Sequence, residues 1–277
     1  MKKQIKLFIK ISFTILALWI VYRKIDLSKV IEIVKNSNFL YLFLALLFYN
    51  FSQIVSAFRN KYVLSLFGLI IDKITAIKLY YIGMFYNTFL PGGIGGDGYK
   101  LYYLNKTYHK KVKPILQSLL VDRISGLGGL LFLLGILFLF SKFNKNLTYL
   151  DLLALIALYP TLFLVIKFMF KDFLKGFKTY NIYSLIIQSL QVISALFIVL
   201  AINEKYIIEF LVLFLISSVV SVIPISFGGI GLRELTFIYG LGYLGLSLDR
   251  GVSFSFIFLV ITLLSSFIGI FISLEKK

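Results

Sequence analysis

LPGGIGGDGYK, residues 90–100, places five glycines, a proline and two charged residues directly after a long apolar segment. Irregular backbone at membrane depth is tolerated only where protein buries it or where it lines a water-filled cavity. Such a stretch is either an ordinary turn at the membrane surface or a break inside the membrane, whose backbone N–H and C=O groups can bind a ligand. The fold depends on which of the two it is.

The chain around this stretch has the composition of an integral membrane protein. Of its 277 residues 60% are hydrophobic and only 15% are charged, whereas soluble domains have about 45–50% apolar and about 25% charged residues. No hydrophilic stretch is long enough for a separate soluble domain. We therefore expect a single integral membrane domain over residues 1–277. Its fold class is predicted to be all-α, a polytopic helical bundle of about eight transmembrane helices plus glycine-broken re-entrant segments.

Apolar segments of the length needed to cross a membrane, about 20 residues, recur along the chain. The eight predicted spans are residues 5–22, 39–58, 115–140, 150–170, 181–202, 207–224, 233–247 and 251–273. A further apolar run leads into the glycine stretch. We expect residues 74–97 to enter the membrane and return on the same side.

The basic loops predict the orientation, because Lys and Arg are enriched in cytoplasmic loops. The loop containing Arg59, Lys61 and Lys73 and the very basic loop 100–113 share the cytoplasmic side if residues 74–97 re-enter. Both termini are then cytoplasmic, in a multi-pass protein of the cytoplasmic (inner) membrane. The loop 23–35 is also basic and would lie outside, so a nine-span arrangement stays open.

A second glycine cluster, IPISFGGIGLREL, occupies residues 223–235 and repeats the order proline, Gly-Gly-Ile-Gly and charged residues. Paired Gly/Pro-interrupted apolar segments in two halves of a chain are typical of transporter sites and of inverted repeats. Because the echo is short, a shared structural role is a firmer prediction than an internal repeat.

Two adjacent charged residues, Asp122 and Arg123, lie in the apolar segment VDRISGLGGLL. Intramembrane charges generally face the bundle interior and mark a pathway or a partner. Neighbours on a helix point about 100° apart, so each needs a partner elsewhere, and the charges that flank the two glycine clusters are the candidates. The alternative is a structural ion pair that only holds helices together.

Polar and small residues at helical spacing support a lined interior. Three such faces are Tyr49, Gln53 and Ser56; Ser118, Asp122, Gly126 and Gly129; and Ser184, Gln188 and Gln191. Any one face could serve helix packing, but together with buried charges they favour a cavity. Five tyrosines are expected to be anchors at the membrane surface: Tyr80, Tyr81, Tyr86, Tyr102 and Tyr103.

Catalytic and cofactor motifs are not found in the sequence. The chain has no cysteine, and its one histidine, His109, lies in the most basic loop. No catalytic triad, His/Cys metal cluster or P-loop is recognisable. We expect no catalytic residue, no metal and no cofactor, and regard a transporter as a better interpretation than an enzyme.

The net charge of +17 comes from Lys and Arg dispersed among short loops. This pattern indicates contacts with membrane lipids and their anionic headgroups, and not with nucleic acid. It leaves an oligomer open.

Three motifs together resemble a known family. NTFLPGGIGGDGYKLYYL, LLVDRISGL and IPISFGGIGLREL, within residues 87–235, are similar to the motifs of the lysylphosphatidylglycerol synthase transmembrane region family, also called the flippase-like domain family. The family includes the membrane part of bacterial enzymes that aminoacylate phosphatidylglycerol and move the product between leaflets. The aminoacyl transfer resembles the work of a separate soluble domain, which this sequence lacks. Lys100 stands where the family motif favours arginine, and it keeps the charge without the bidentate geometry.

The resemblance and the charges predict a protein that binds and translocates a phospholipid or lipid-linked anionic substrate. Alternatives are a membrane-embedded transferase acting on lipid-linked aminoacyl or glycosyl donors, and an accessory subunit of envelope lipid biosynthesis. Lys100, Arg123 and Arg233 would balance the negative charge, and the acidic residues would position them or bind a coupled cation. The predicted substrate-binding residues are Gly92, Gly93, Gly95, Gly96, Asp97, Lys100, Asp122, Arg123, Gly228, Gly229, Gly231, Arg233 and Glu234.

Overall fold

A computed structural model describes residues 2–89, 95–143, 147–222 and 229–274. These residues form α-helices and short 3-10 turns, and no strand occurs among them, so the all-α prediction is confirmed. The helices are α1 (Lys2–Lys24), α2 (Leu27–Lys35), α3 (Phe39–Ser65), α4 (Lys73–Phe89), α5 (Gly95–Tyr108), α6 (Val112–Leu139), α7 (Thr148–Met169), α8 (Phe177–Ala201), α9 (Ile207–Val222), α10 (Leu232–Tyr243) and α11 (Leu248–Phe267).

Five helical segments of the described chain are long and apolar enough to cross a membrane. They are α3, α6, α7, α8 with the 3-10 turn before it, and α11 with the 3-10 turn after it. Because helices satisfy their own backbone hydrogen bonds, such segments are the usual way to span hydrocarbon. The chain is therefore a multi-pass membrane protein.

Helices α4 and α5 form an antiparallel hairpin, called hairpin 1 here. Asp72 caps the start of α4, where its carboxylate accepts a hydrogen bond from the Thr75 N–H at 2.8 Å. Hydrogen bonds from the Thr75 side chain and backbone hold the pKa of Asp72 below its usual value. Gly83 and Gly96 face each other where the two helices cross. The helices are so close there that a Cβ on Gly96 would overlap the Gly83 carbonyl group.

Both outer ends of hairpin 1 lie at the same end of the bundle, as expected for a re-entrant segment. The predicted bounds of 74–97 are wrong, because the returning leg is α5, Gly95–Tyr108, and most of the predicted loop 100–113 belongs to this helix. One apolar cluster joins Leu79 near the start of α4, Leu104 of α5, Leu64 at the end of α3 and Ile115 at the start of α6. Residues 90–94, which connect α4 to α5, lie outside the described residues.

Helices α9 and α10 form a second hairpin, called hairpin 2, where the sequence predicted two complete spans, 207–224 and 233–247. Helix α10 has 12 residues and is about 18 Å long, which is too short for a hydrocarbon core of about 30 Å. Its Thr236, Tyr239 and Gly240 pack along Leu213 and Ile216 of α9, around a shared apolar groove. Helix α10 is therefore too short to be the complete span predicted over residues 233–247.

Hairpin 2 enters from the end of the bundle opposite to hairpin 1. At that end the Phe143 ring, just after α6, stacks on Tyr243 at the end of α10, with centroids 6.4 Å apart. The Lys142 N–H donates to Glu209 in the first turn of α9 at 3.4 Å. Because α6 starts beside hairpin 1 and ends beside the base of hairpin 2, the two hairpins point toward each other.

The end of the bundle from which hairpin 1 enters is called the basic end. Phe173, in the loop before α8, packs there against Phe67, just after α3. The basic residues of the loops and helix ends on this side include Lys61, Lys73, Lys106, Lys110, Lys111, Lys113, Lys171, Lys175 and Lys178.

Candidate anion-binding site

The scaffold of the site is a buried ion pair between α3 and α6. The Arg59 Nε and Nη2 atoms donate to the two Asp122 carboxylate oxygens at 2.9 and 3.0 Å. Arg59 Nη1 donates to the Ser184 hydroxyl of α8 at 2.9 Å. Both charged residues are buried, at 6% and 7% exposure, so the pair fixes three helices at one depth.

This pair corrects two predictions. Arg59 was expected in a cytoplasmic loop, but it lies inside α3, which continues to Ser65. Asp122 was expected to find its partner beside a glycine cluster, and its partner is Arg59 instead. A signal was present in the sequence, because the predicted polar face of Gln53 and Ser56 continues at helical spacing to Arg59.

Arg123 reaches hairpin 1, as predicted for one of the charges that flank the glycine clusters. Its Nε donates to an Asp97 carboxylate oxygen, which lies in the first turn of α5. The Arg123 and Asp97 side chains are 41% and 21% exposed. The ion pair therefore ties the inner end of hairpin 1 to the middle of α6 and stays accessible from the cavity.

Lys100 is a buried cation of hairpin 1 for which the described residues provide no carboxylate within 4.0 Å. It is 5% exposed, and its ammonium nitrogen lies 4.2 Å from the centre of the Tyr80 ring. Its stem packs on Gly83, where an added Cβ would come within 2.8 Å of the Lys100 Cε. The small residue on α4 thus makes room for the lysine between the two helices.

A cavity of about 250 Å³ joins these groups. It is lined by Tyr49, Gln53, Arg59, Tyr80, Met84, Asn87, Asp97, Lys100, Asp122 and Arg123. The lining has three cationic and two acidic side chains, so an excess of one positive charge faces the cavity. Such a site suits an anion.

Hairpin 2 brings a further cation to the same depth. The Arg233 guanidinium carbon lies 4.9 Å from the centre of the Phe258 ring, near the middle of α11. Phe258 in turn contacts Tyr49 edge to face at 5.7 Å, and Tyr49 lines the cavity. Among the described residues no carboxylate lies within 4.0 Å of Arg233.

Glu234, the acidic residue next to Arg233, is engaged by its own turn. One carboxylate oxygen accepts from the Gly231 N–H at 2.7 Å, and the other accepts from the Ser255 hydroxyl of α11 at 2.7 Å. Gly229 and Gly231 have φ values of +82° and +84°, a conformation that glycine adopts without steric cost. Glu234 and these glycines form the start of α10. The Arg233 side chain lies against the Phe258 ring instead.

The backbone of the glycine clusters is less free than the sequence suggested. Gly92, Gly93 and Gly228 lie outside the described residues, and Gly95 is the first residue of α5. The Gly96 N–H donates to the Asn87 side chain at 2.9 Å, and the Gly231 N–H donates to Glu234. The side-chain cations are groups of this site that are available to an anion, and substrate binding by the glycines stays a prediction.

The predicted polar faces separate into two kinds. The faces of α6 and α8 pack on each other, because Gln188 donates to the Gly126 carbonyl at 3.3 Å and a Cβ on Gly129 would lie 3.0 Å from the Ser184 backbone. The α3 face lines the cavity with Tyr49 and Gln53. The α6 face also contributes Asp122 to this cavity, whereas the α8 face contributes no lining residue, so the expectation fails for α8.

Two of the tyrosines predicted as surface anchors are interior residues. Tyr80 lines the cavity beneath Lys100, and Tyr81 is 6% exposed and donates to Asn50 of α3 at 2.9 Å. Tyr102, by contrast, is exposed. Helical periodicity locates such residues on a face, but it does not say whether that face meets lipid or protein.

Sequence reasoning did not identify Asn87, Tyr80 or Phe258 as parts of the site. Each contacts a residue of another helix: Tyr80 contacts Lys100, Asn87 contacts Gly96 and Phe258 contacts Arg233. Within the described ranges, no three His, Asp or Glu side chains gather closely enough to hold a metal ion.

Fold and site define a multi-pass helical membrane protein with two opposed hairpins and a cation-rich cavity. The profile of the family described as Lysylphosphatidylglycerol synthase TM region matches residues 7–179. The chain therefore belongs to this family, as the sequence motifs predicted. The matched range includes hairpin 1, Asp122 and Arg123, and ends before hairpin 2. No curated protein matches the chain.

Proposed function

We propose that the protein binds and translocates a phospholipid or another lipid-linked anionic substrate across the cytoplasmic (inner) membrane. Its family links it to membrane lipids. The phosphate would enter the cavity between the hairpins, where Lys100 and Arg123 face it and Arg233 approaches it from the opposite side.

The observation that carries this proposal is the buried Lys100 without a carboxylate partner. An uncompensated charge in a poorly solvated site costs several kcal/mol, so a lysine kept there without a partner destabilises the empty protein. A phosphate would supply the missing negative charge through charge-assisted hydrogen bonds. The cation–π contact with Tyr80 offsets only about 0.5–2 kcal/mol of this cost.

The opposed hairpins support translocation in addition to binding. Transporters commonly place their site between repeats of opposite orientation, each contributing a broken segment near the midplane. Hairpin 1 would control access from the basic end, and hairpin 2 access from the other end. The positive-inside rule assigns the basic end to the cytoplasm, which places the C-terminal Leu274 there, because it packs against the apolar cluster of that end.

A vesicle assay tests the proposal. The purified protein is reconstituted into liposomes containing phosphatidylglycerol with a fluorescent acyl chain, and dithionite is added to quench the outer leaflet. We expect the protected inner-leaflet fluorescence to be lost rapidly with the native chain. In Lys100→Met the loss should slow by roughly 10- to 100-fold, since a hydrogen bond to a charged group contributes about 1.5–3 kcal/mol.

Lys106→Met is the matched control, because Lys106 is an exposed lysine of the same helix. It should translocate lipid like the native chain. Lys100→Met should also be at least as resistant to heat as the native protein, because it removes a buried charge and keeps the apolar stem. Native translocation by Lys100→Met would contradict the proposal, and so would a native chain that translocates no lipid.

A further inference from the structure

Among the described residues, each acidic side chain at the candidate site is engaged by a cation or by hydrogen-bond donors of the protein, while two cations, Lys100 and Arg233, have no carboxylate within 4.0 Å. From this asymmetry we infer that the cavity selects phosphate headgroups that carry no ammonium group, and discriminates against aminoacylated lipids. The inference rests on the proposed function and names the substrate class of the same site.

The two carboxylates that line the cavity are neutralised by arginines. Asp122 receives two hydrogen bonds from Arg59, and Asp97 receives one from Arg123. For a headgroup ammonium to use either carboxylate, it would have to compete with a guanidinium already held by the fold. Displacing Arg59 would leave a buried cation without its partner.

The third acidic residue near the site is also occupied. Glu234 is 7% exposed, and both of its oxygens accept hydrogen bonds from hairpin 2 and α11. The connecting segments 90–94 and 223–228 contain no Asp or Glu. The side chains of these segments therefore add no carboxylate to the cavity.

The remaining charges oppose a cationic headgroup. The cavity lining carries one positive charge in excess, and Arg233 adds a further cation beside Tyr49. A lysyl ester on phosphatidylglycerol would bring two ammonium groups into this field, whereas phosphatidylglycerol brings only its phosphate and hydroxyls. Like charges placed together are a common source of specificity. The lipid named in the family description is therefore a poor fit to this chain.

A comparison of two lipids that differ only in a lysyl ester on the headgroup tests the inference. The native protein, gently purified in detergent, is titrated with phosphatidylglycerol and with lysylphosphatidylglycerol, and the bound lipid is identified by native mass spectrometry. We expect phosphatidylglycerol to bind about tenfold more tightly or better, because a single uncompensated charge contact accounts for that ratio.

Charge reversal at one position sharpens the test. Lys100→Glu should lose the preference for phosphatidylglycerol and gain affinity for lysylphosphatidylglycerol, and Lys106→Glu should leave both affinities unchanged. Equal or tighter binding of lysylphosphatidylglycerol by the native chain would overturn the inference. It would leave the proposed function standing if that lipid is translocated in the vesicle assay. Binding of neither lipid would overturn both.

Discussion

Hairpins 1 and 2 each carry a glycine cluster followed by an acidic residue and a cation, with the acidic residue first in hairpin 1 and the cation first in hairpin 2, and their acidic residues are used differently. In hairpin 1, Asp97 pairs with Arg123 on another helix, in a partly exposed ion pair. In hairpin 2, the buried Glu234 closes its own glycine turn and accepts a neutral hydrogen bond from Ser255. In both hairpins the acidic residue is engaged, and among the described residues no carboxylate lies within 4.0 Å of the cation.

The difference shows which part of the repeated motif belongs to the fold and which to the site. The acidic residue fixes the inner end of each hairpin, by an ion pair in one case and by a turn in the other. The cations, Lys100 and Arg233, both rest on aromatic rings. The two inner ends are thus stabilised in different ways, yet each presents a cation, as an anion site between opposed hairpins requires.

The largest expected effect is on the scaffold next to hairpin 1. Asp122→Leu leaves Arg59 buried without its carboxylate, and removal of one partner of a buried ion pair destabilises by about 3–5 kcal/mol. The fraction of monodisperse protein that remains after heating in detergent measures this loss. The double variant Arg59→Leu with Asp122→Leu should recover part of it, since paired residues are not additive. Native heat resistance in Asp122→Leu would show that the pair does not hold these helices.

A smaller effect is expected at the helix crossing of hairpin 1. Gly96→Ala places a Cβ against the Gly83 carbonyl group, and overpacking of this kind typically costs about 1–3 kcal/mol. Gly98→Ala is its matched control two residues along the same helix, where an added Cβ meets no atom within 4 Å. This control should be neutral, or more stable by about 0.5–1 kcal/mol. Equal heat resistance of the two variants would show that the close crossing of α4 and α5 does not limit the residue at position 96.

A comparison of the two acidic residues includes the smallest expected effect, that of Asp97→Asn. Glu234→Gln should destabilise by about 1–3 kcal/mol, because it leaves a buried donor or acceptor of the turn unsatisfied. Asp97→Asn should cost about 0.2–1 kcal/mol, because its ion pair with Arg123 is partly exposed. The same heating assay measures both. A larger loss in Asp97→Asn than in Glu234→Gln would reverse the roles assigned to the two hairpins.

Much of the fold could be predicted from local sequence. Length and apolar content located α3, α6, α7, α8 and α11, and the positive charges around residues 74–97 predicted that this segment returns to its starting side. The same criteria took α10 for a complete span. An apolar helix of 12 residues is short for a span. Hydropathy alone does not show whether the chain then continues across the membrane or turns back.

The charged residues of the site could be predicted from the sequence, but the residues with which they pair could not. Asp97, Lys100, Arg123 and Arg233 stand out because charged residues in apolar surroundings are costly. The pairing of Arg59 with Asp122 joins residues far apart in sequence, and no local pattern encodes which arginine a carboxylate meets. For the same reason the sequence did not predict the hydrogen bond from Ser255 to Glu234. The excess of positive charge at the site, which depends on such contacts, could be seen only in the fold.

The arrangement of the two hairpins is tested most directly by sided labelling in a chain that has no native cysteine. Single cysteines replace Lys73 and Lys110, which flank hairpin 1, and Lys205 and Ser247, which flank hairpin 2. All four positions are exposed. In intact cells a membrane-impermeant maleimide should label Lys205→Cys and Ser247→Cys, and should label Lys73→Cys and Lys110→Cys only after the membrane is opened. Labelling of one member of either pair from the outside and of its companion only from the inside would mean that this hairpin crosses the membrane, which would contradict the opposed arrangement.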